Sequence, residues 1–181
     1  MRRTTLFVMA ALVVVGSGCK LRGLRGRSDG GVSITSSNRL LVSKDGRFSL
    51  TVPAGWTQAH SLNESAGIQA RGLDGYAVVL SDVKEDLSDS SLEGFSRGRA
   101  QAIITNSNGG KMGPSSEVMI GGRRALQREI NATVKGMNIT YLLTVVETTK
   151  HLHQVLCWAA KSRFEGNRAE FEAISATLKE N

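Results

Sequence analysis

Residues 117–160 repeat one pattern: apolar-rich segments of strand length separated by very short turns. Segment 117–120 leads to Gly121-Gly122, 123–134 to Lys135-Gly136-Met137, and 138–148 to Thr149-Lys150, after which comes 151–160. Such short connections join antiparallel neighbours, because a parallel pair needs a crossover of about a dozen residues or more. The stretch is therefore expected to form a four-stranded antiparallel meander. In 138–148, Ile139, Tyr141, Leu143 and Val145 share one face, the two-residue period of a strand. The centre of 151–160 is apolar on both faces, which predicts a central strand covered on both sides.

Upstream, Leu40-Leu41-Val42, Lys44-Asp45-Gly46 and residues 47–52 read as a hairpin around an Asp-Gly turn. Phe48, Leu50 and Val52 fall on one side of its second arm, and Pro53-Ala54-Gly55 stops it before Trp56. Residues 68–71 and 76–83 read as further strands. The period then changes. Ser90 with Glu93 three residues on has the form of a capping box, predicting a helix over 91–104 that buries Leu92, Phe95, Ala102 and Ile103. Gly94, Gly98 and Arg99 work against that helix, and 106–113 reads as a loop. Asn167-Arg168-Ala169-Glu170 resembles a second helix start, with Phe171, Ile174 and Leu178 spaced as a buried stripe. Hairpin, strand, helix, meander and helix together predict an α+β domain over residues 39–181: a largely antiparallel β-sheet flanked by helices.

The first 18 residues have a different character. Met1-Arg2-Arg3 precedes ten apolar residues from Leu6 to Val15 and the small residues Gly16-Ser17-Gly18. A spanning helix needs about 20 apolar residues, so the run suits a cleaved export signal rather than a permanent span. Val15-Gly16-Ser17-Gly18-Cys19 resembles the lipobox of bacterial lipoproteins, with Gly16 where an apolar residue is usual. That resemblance implies that Cys19 is acylated and becomes the first residue of the mature chain. Each acyl CH₂ buried in lipid contributes about 0.8 kcal/mol, and several chains make a lasting anchor. Lys20 follows Cys19 in place of the Asp that retains enterobacterial lipoproteins in the inner membrane. An outer membrane is thus the expected destination where the cell has one.

Residues 20–38 are rich in Gly, Ser and Arg and read as a flexible tether, with an r.m.s. reach of roughly 25 Å. Lys20, Arg22, Arg25 and Arg27 hold much of the excess charge beside the lipid, where they either contact anionic headgroups or remain solvated. The whole chain carries +7, but residues 39–181 hold 17 basic and 15 acidic side chains, a net of +2. The high isoelectric point belongs to signal and tether and predicts no nucleic-acid surface on the domain. With Cys19 acylated, Cys157 is the remaining thiol, so no intrachain disulfide forms. Its apolar neighbours Val155, Leu156 and Trp158 predict a buried, inert sulfur.

Several stretches together resemble PsbP-like domains: Phe48-Ser49-Leu50-Thr51-Val52-Pro53-Ala54-Gly55-Trp56, Ser91-Leu92-Glu93-Gly94-Phe95, Ile120-Gly121-Gly122-Arg123-Arg124-Ala125, and Phe164, Phe171 and Ile174 near the last helix. The resemblance covers about residues 39–180. It implies an α/β/α sandwich in which an antiparallel sheet lies between helices. It implies no common catalytic centre, because this family ranges from a photosystem II extrinsic protein to Ran-binding and bacterial envelope proteins.

No residue pattern predicts catalysis, a cofactor or a metal. His151 and His153 share a strand face and are the best metal pair, while Cys157 lies about 13 Å further along the strand. Two ligands alone are weak, and surface histidines at a hairpin end are expected. Asp82, Glu85, Asp86 and Asp89 lack the spacing and tight glycine of a calcium loop. They suit a solvated connection before a helix N-terminus. His60 has no identifiable nucleophile, Gly109-Gly110-Lys111 lacks the rest of a phosphate loop, and Trp56 and Trp158 are expected in the core. The expectation is a non-enzymatic envelope lipoprotein, held to the membrane by the lipid on Cys19, whose domain binds an envelope protein or other component. The alternatives are a small-ligand or metal carrier and, less favoured, an enzyme with an unrecognised site.

Overall fold

The computed structural model describes residues 37–181; the expected signal, Cys19 and nearly all of the expected tether lie outside them. The described elements are β1 (Arg39–Val42), β2 (Phe48–Val52), β3 (Thr57–Gln58), β4 (Ile68–Arg71), β5 (Tyr76–Val83), α1 (Leu92–Thr105), β6 (Gly110–Ile120), β7 (Arg123–Val134), β8 (Met137–Glu147), β9 (His151–Ala160), α2 (Lys161–Ala176) and β10 (Lys179–Glu180). A single 3-10 turn, Lys84–Asp86, follows β5.

The predicted meander is present as β6 to β9, and β9 closes against β5, so the main sheet runs β3-β4-β5-β9-β8-β7-β6. Each pairing is antiparallel. The α1 connection carries the chain from β5, in the sheet interior, to the far edge at β6. β8 and β9 sit deepest, and both their faces are buried. On one face, Ile139, Tyr141, Leu143 and Val145 of β8 and Leu152 and Leu156 of β9 meet Leu92, Phe95, Ala100 and Ile103 of α1. On the other, Leu142, Val146, Val155 and Cys157 meet Phe164, Phe171 and Ile174 of α2. The α+β class and the helix–sheet–helix layering thus follow from apolar residues on both faces of the central strands.

The hairpin of β1 and β2 does not join this sheet. With β10 it makes a second, three-stranded sheet in the order β1-β2-β10. Leu41, Phe48, Leu50 and Val52 close the α2 side of the core. Two glycines let aromatic rings lie against backbone there. A Cβ on Gly67 would sit 2.5 Å from Phe48 Cζ, and one on Gly75 2.7 Å from Phe171. Trp56 is buried, and its Nε1–H donates to Glu170 Oε1 at 2.9 Å.

Four local expectations need correction. The N-cap of α1 is Ser91, not Ser90: Ser91 Oγ accepts from Gly94 N at 3.1 Å, while Asp89 Oδ1 accepts from Ser91 N and Oγ at 2.9 and 2.6 Å. Glu93 therefore does not close a capping box, and points to Arg124 instead. Second, Ala102 is exposed and Ala100 and Ser96 are buried. Arg99, which lies on the buried stripe, reaches out to Asp82 at 2.7 Å with its guanidinium 4.6 Å over the Phe95 ring. Third, the expected 106–113 loop is shorter, because β6 already starts at Gly110. That strand is an edge, largely exposed, with a bulge between Met112 and Ser115 at Pro114. An edge strand need not alternate, and Pro with a bulge guards it from further pairing. Fourth, α2 begins at Lys161 directly from β9, with no side-chain cap. Asn167 sits inside it and donates from Nδ2 to Arg163 O at 2.8 Å.

Candidate functional site

His151 opens β9 and His153 follows on the same face, as strand geometry requires. That face points toward α2 and the small sheet. After α2, the chain turns at Thr177, buries Leu178, and lays β10 beside β2, pairing Glu180 with Phe48. This brings the Glu180 carboxylate over the two imidazoles. His151 Nδ1 lies 2.8 Å and His153 Nε2 3.4 Å from the same oxygen, Glu180 Oε1. One ligand atom from each of the three residues falls within 4.8 Å of the others. The imidazole centroids are 5.6 Å apart, and the Phe48 ring covers His153 at 5.3 Å.

The carboxylate is held from outside as well. Thr148 Oγ1, in the turn before β9, is 3.2 Å from Glu180 Oε1 and accepts from His151 N at 3.0 Å. Arg123, at the start of β7, places Nη2 3.5 Å from Oε2. Burial disfavours the charge on Glu180, but the hydrogen bonds from His151, His153 and Thr148 outweigh it and lower its pKa. His153 shifts the other way: burial lowers its pKa, only partly opposed by Glu180. Its side chain is 2% exposed, against 15% for His151 and 21% for Glu180. His153 Nδ1 has no hydrogen-bond partner and is the one such buried side-chain atom among the described residues. The site is thus a corner with a buried imidazole at its base and a carboxylate and second imidazole at its rim.

The two histidines are not the surface pair expected from sequence. The turn puts them at a hairpin end, but β10 and Phe48 cover them. No local sequence pattern links Glu180 to β9, and none singles out Thr148 or Arg123. The other candidates separate. Cys157 is fully buried beside Ser175 Oγ at 4.0 Å, its thiol pushed up to about 12 by burial. His60 is exposed. Of the acidic stretch, Asp82 pairs with Arg99, Asp89 supports the α1 cap, and Glu85 and Asp86 lie in the 3-10 turn. Lys111 lies in β6 rather than a phosphate-binding loop. Trp158 is half-buried and stacked on Tyr76 at 5.3 Å.

A groove of about 340 Å³ opens between the β6–β7 pair and α2, lined by Pro114, Gln127, Glu129, Arg168 and Glu172 among others. Arg168 pairs there with Glu129 and Glu165. Arg128, on the opposite face of β7, is 9% exposed and donates to Ser96 Oγ at 3.2 Å. Its position in the Leu126-Gln127-Arg128-Glu129-Ile130 alternation marks it as inward-facing.

No protein-family model and no curated protein matches the sequence. Solved structures do match the fold. Cyanobacterial PsbP (CyanoP) from Synechocystis sp. PCC 6803 is 15% identical, with a TM-score of 0.61 over 86% of this chain and 98% of that one. LpqN, involved in cell envelope biogenesis of Mycobacterium tuberculosis, is 13% identical, with a TM-score of 0.57 over 79% of this chain and 90% of that one. The Ran-binding protein Mog1p of Saccharomyces cerevisiae is 10% identical, with a TM-score of 0.55 over 80% of this chain and 96% of that one. The domain therefore has the PsbP/Mog fold, and at these identities the likeness concerns the fold alone.

Proposed function

We propose that this protein is an exported envelope lipoprotein, anchored through an acylated Cys19, whose domain is a non-catalytic binding or assembly module. The observation that carries the reading is the sequence around Cys19: a charged start, ten apolar residues and Gly16-Ser17-Gly18 directly before the thiol. Two further points support it. The fold is shared with an envelope-biogenesis protein and with a Ran-binding protein, so the same scaffold carries both an envelope role and protein binding. Lys20, Arg22, Arg25 and Arg27 follow Cys19 within eight residues, in reach of anionic headgroups. The partner under this reading is an envelope protein.

The anchor is tested by replacing Cys19 with Ser in the full chain and following membrane partition and incorporation of labelled palmitate. The wild-type chain is expected to sediment with membranes and carry label. Cys19→Ser is expected to lose the label and to keep its signal or leave the membrane fraction. Palmitate labelling of Cys19→Ser equal to that of wild type would overturn the lipid anchor.

A further inference from the structure

We propose that His151, His153 and Glu180 form a binding site for one divalent transition-metal ion of the zinc class. The site is independent of the anchor. Two imidazole nitrogens and a carboxylate oxygen are a donor set suited to borderline ions such as zinc rather than to calcium or magnesium, which want oxygen ligands throughout.

The distances fit. Zinc–nitrogen and zinc–oxygen bonds of about 2.0–2.2 Å in a tetrahedron set neighbouring ligand atoms about 3.3 Å apart. His153 Nε2 and Glu180 Oε1 are already 3.4 Å apart. His151 Nδ1 is 2.8 Å from that oxygen, so its ring must withdraw by about half an ångström. On binding, each ring presents a lone pair at the nitrogen that faces the ion and carries its proton on the other nitrogen, which for His153 is the buried Nδ1. Three protein ligands leave one position of a tetrahedral ion for a further ligand such as water.

A second observation points to a ligand here. Folding keeps the His153 ring 98% out of solvent with one nitrogen orphaned and a 3.4 Å contact on the other. The nitrogen that faces the site is Nε2, whose contact to Glu180 Oε1 is long, and a bond to a metal ion would replace that weak contact; Nδ1 is the nitrogen the ion does not touch. The carboxylate is also held by outer partners, as ligating carboxylates are: Thr148 Oγ1 donates to Oε1 at 3.2 Å and Arg123 Nη2 lies 3.5 Å from Oε2. The guanidinium charge opposes a cation, so uptake rests on the three ligands and not on the field.

The test uses the full chain, untagged, in detergent and stripped with a chelator, titrated with zinc by calorimetry and with cobalt by visible absorption. The expected result is one saturable equivalent per chain and a tetrahedral cobalt spectrum. His151→Gln and Glu180→Gln, at the rim, should each bind zinc at least tenfold more weakly with unchanged circular dichroism. His60→Gln should bind as wild type. No saturable equivalent in the wild-type chain would overturn the site, and so would undiminished binding in both rim variants.

Discussion

Cys157 has a sulfur that solvent does not reach, on a strand facing Ser175 of α2, with its pKa pushed up to about 12 by burial. Reaction with a thiol reagent needs the thiolate, and that needs access. In the acylated protein, a maleimide or disulfide reagent at neutral pH is therefore expected to leave the native chain unmodified and to label one thiol after denaturation. Rapid native labelling, read by mass, would place the residue elsewhere. Single residues were unevenly legible. The apolar run around Cys157 announced its burial, and the two-residue spacing of His151 and His153 put both on one face. Nothing near them in sequence pointed to Glu180, 29 residues beyond His151, because β10 reaches them by pairing with a strand near the start of the domain. A ligand that arrives by tertiary pairing has no period to reveal it.

The elements were legible wherever alternation and turn residues agreed. Strands β5, β7 and β9 lie where apolar-rich runs follow short turns, and their bounds match the expected ones. Where a helix began was harder to read, because Ser90 and Ser91 are both competent caps. The structure chooses Ser91, whose hydroxyl is oriented by Asp89 and accepts from Gly94 N. Ser91→Ala is expected to destabilise the chain by about 1 kcal/mol, the usual loss of a cap. Ser90→Ala should change it by less than about 0.5 kcal/mol. Chemical denaturation of the two variants decides between the positions, and equal effects would contradict the observed register. α2 offered no such signal: it starts from the last residue of β9 without a cap, and its apparent cap, Asn167, bonds back into the preceding turn. β6 was partly hidden for another reason. As an edge it is exposed along most of its length, so no buried face imposes a pattern.

At the scale of the molecule, the layering followed from composition along the chain, and the second sheet did not. A hairpin that joins the main sheet and one that folds over a helix both read as alternating strands; which occurs depends on the space left beside α2. Among the described residues, both apolar clusters fall within Leu41 to Leu178. A chain starting at Ser37 is therefore expected to fold alone, remain in solution without detergent, and melt cooperatively within a few degrees of the full chain. A markedly lower midpoint by circular dichroism would assign residues 1–36 a part in the fold. The small sheet has one more consequence, and it concerns time. Its centre, β2, is among the first segments synthesised, yet Ser49 bonds to Asn181, 132 residues later. Until residues 179–181 have emerged, one side of β2 lacks its neighbour and the corner at His153 stays open. Under the proposed export, a chain crossing a membrane unfolded would carry, in its own strand order, a delay that keeps this seam unclosed until residues 179–181 have passed.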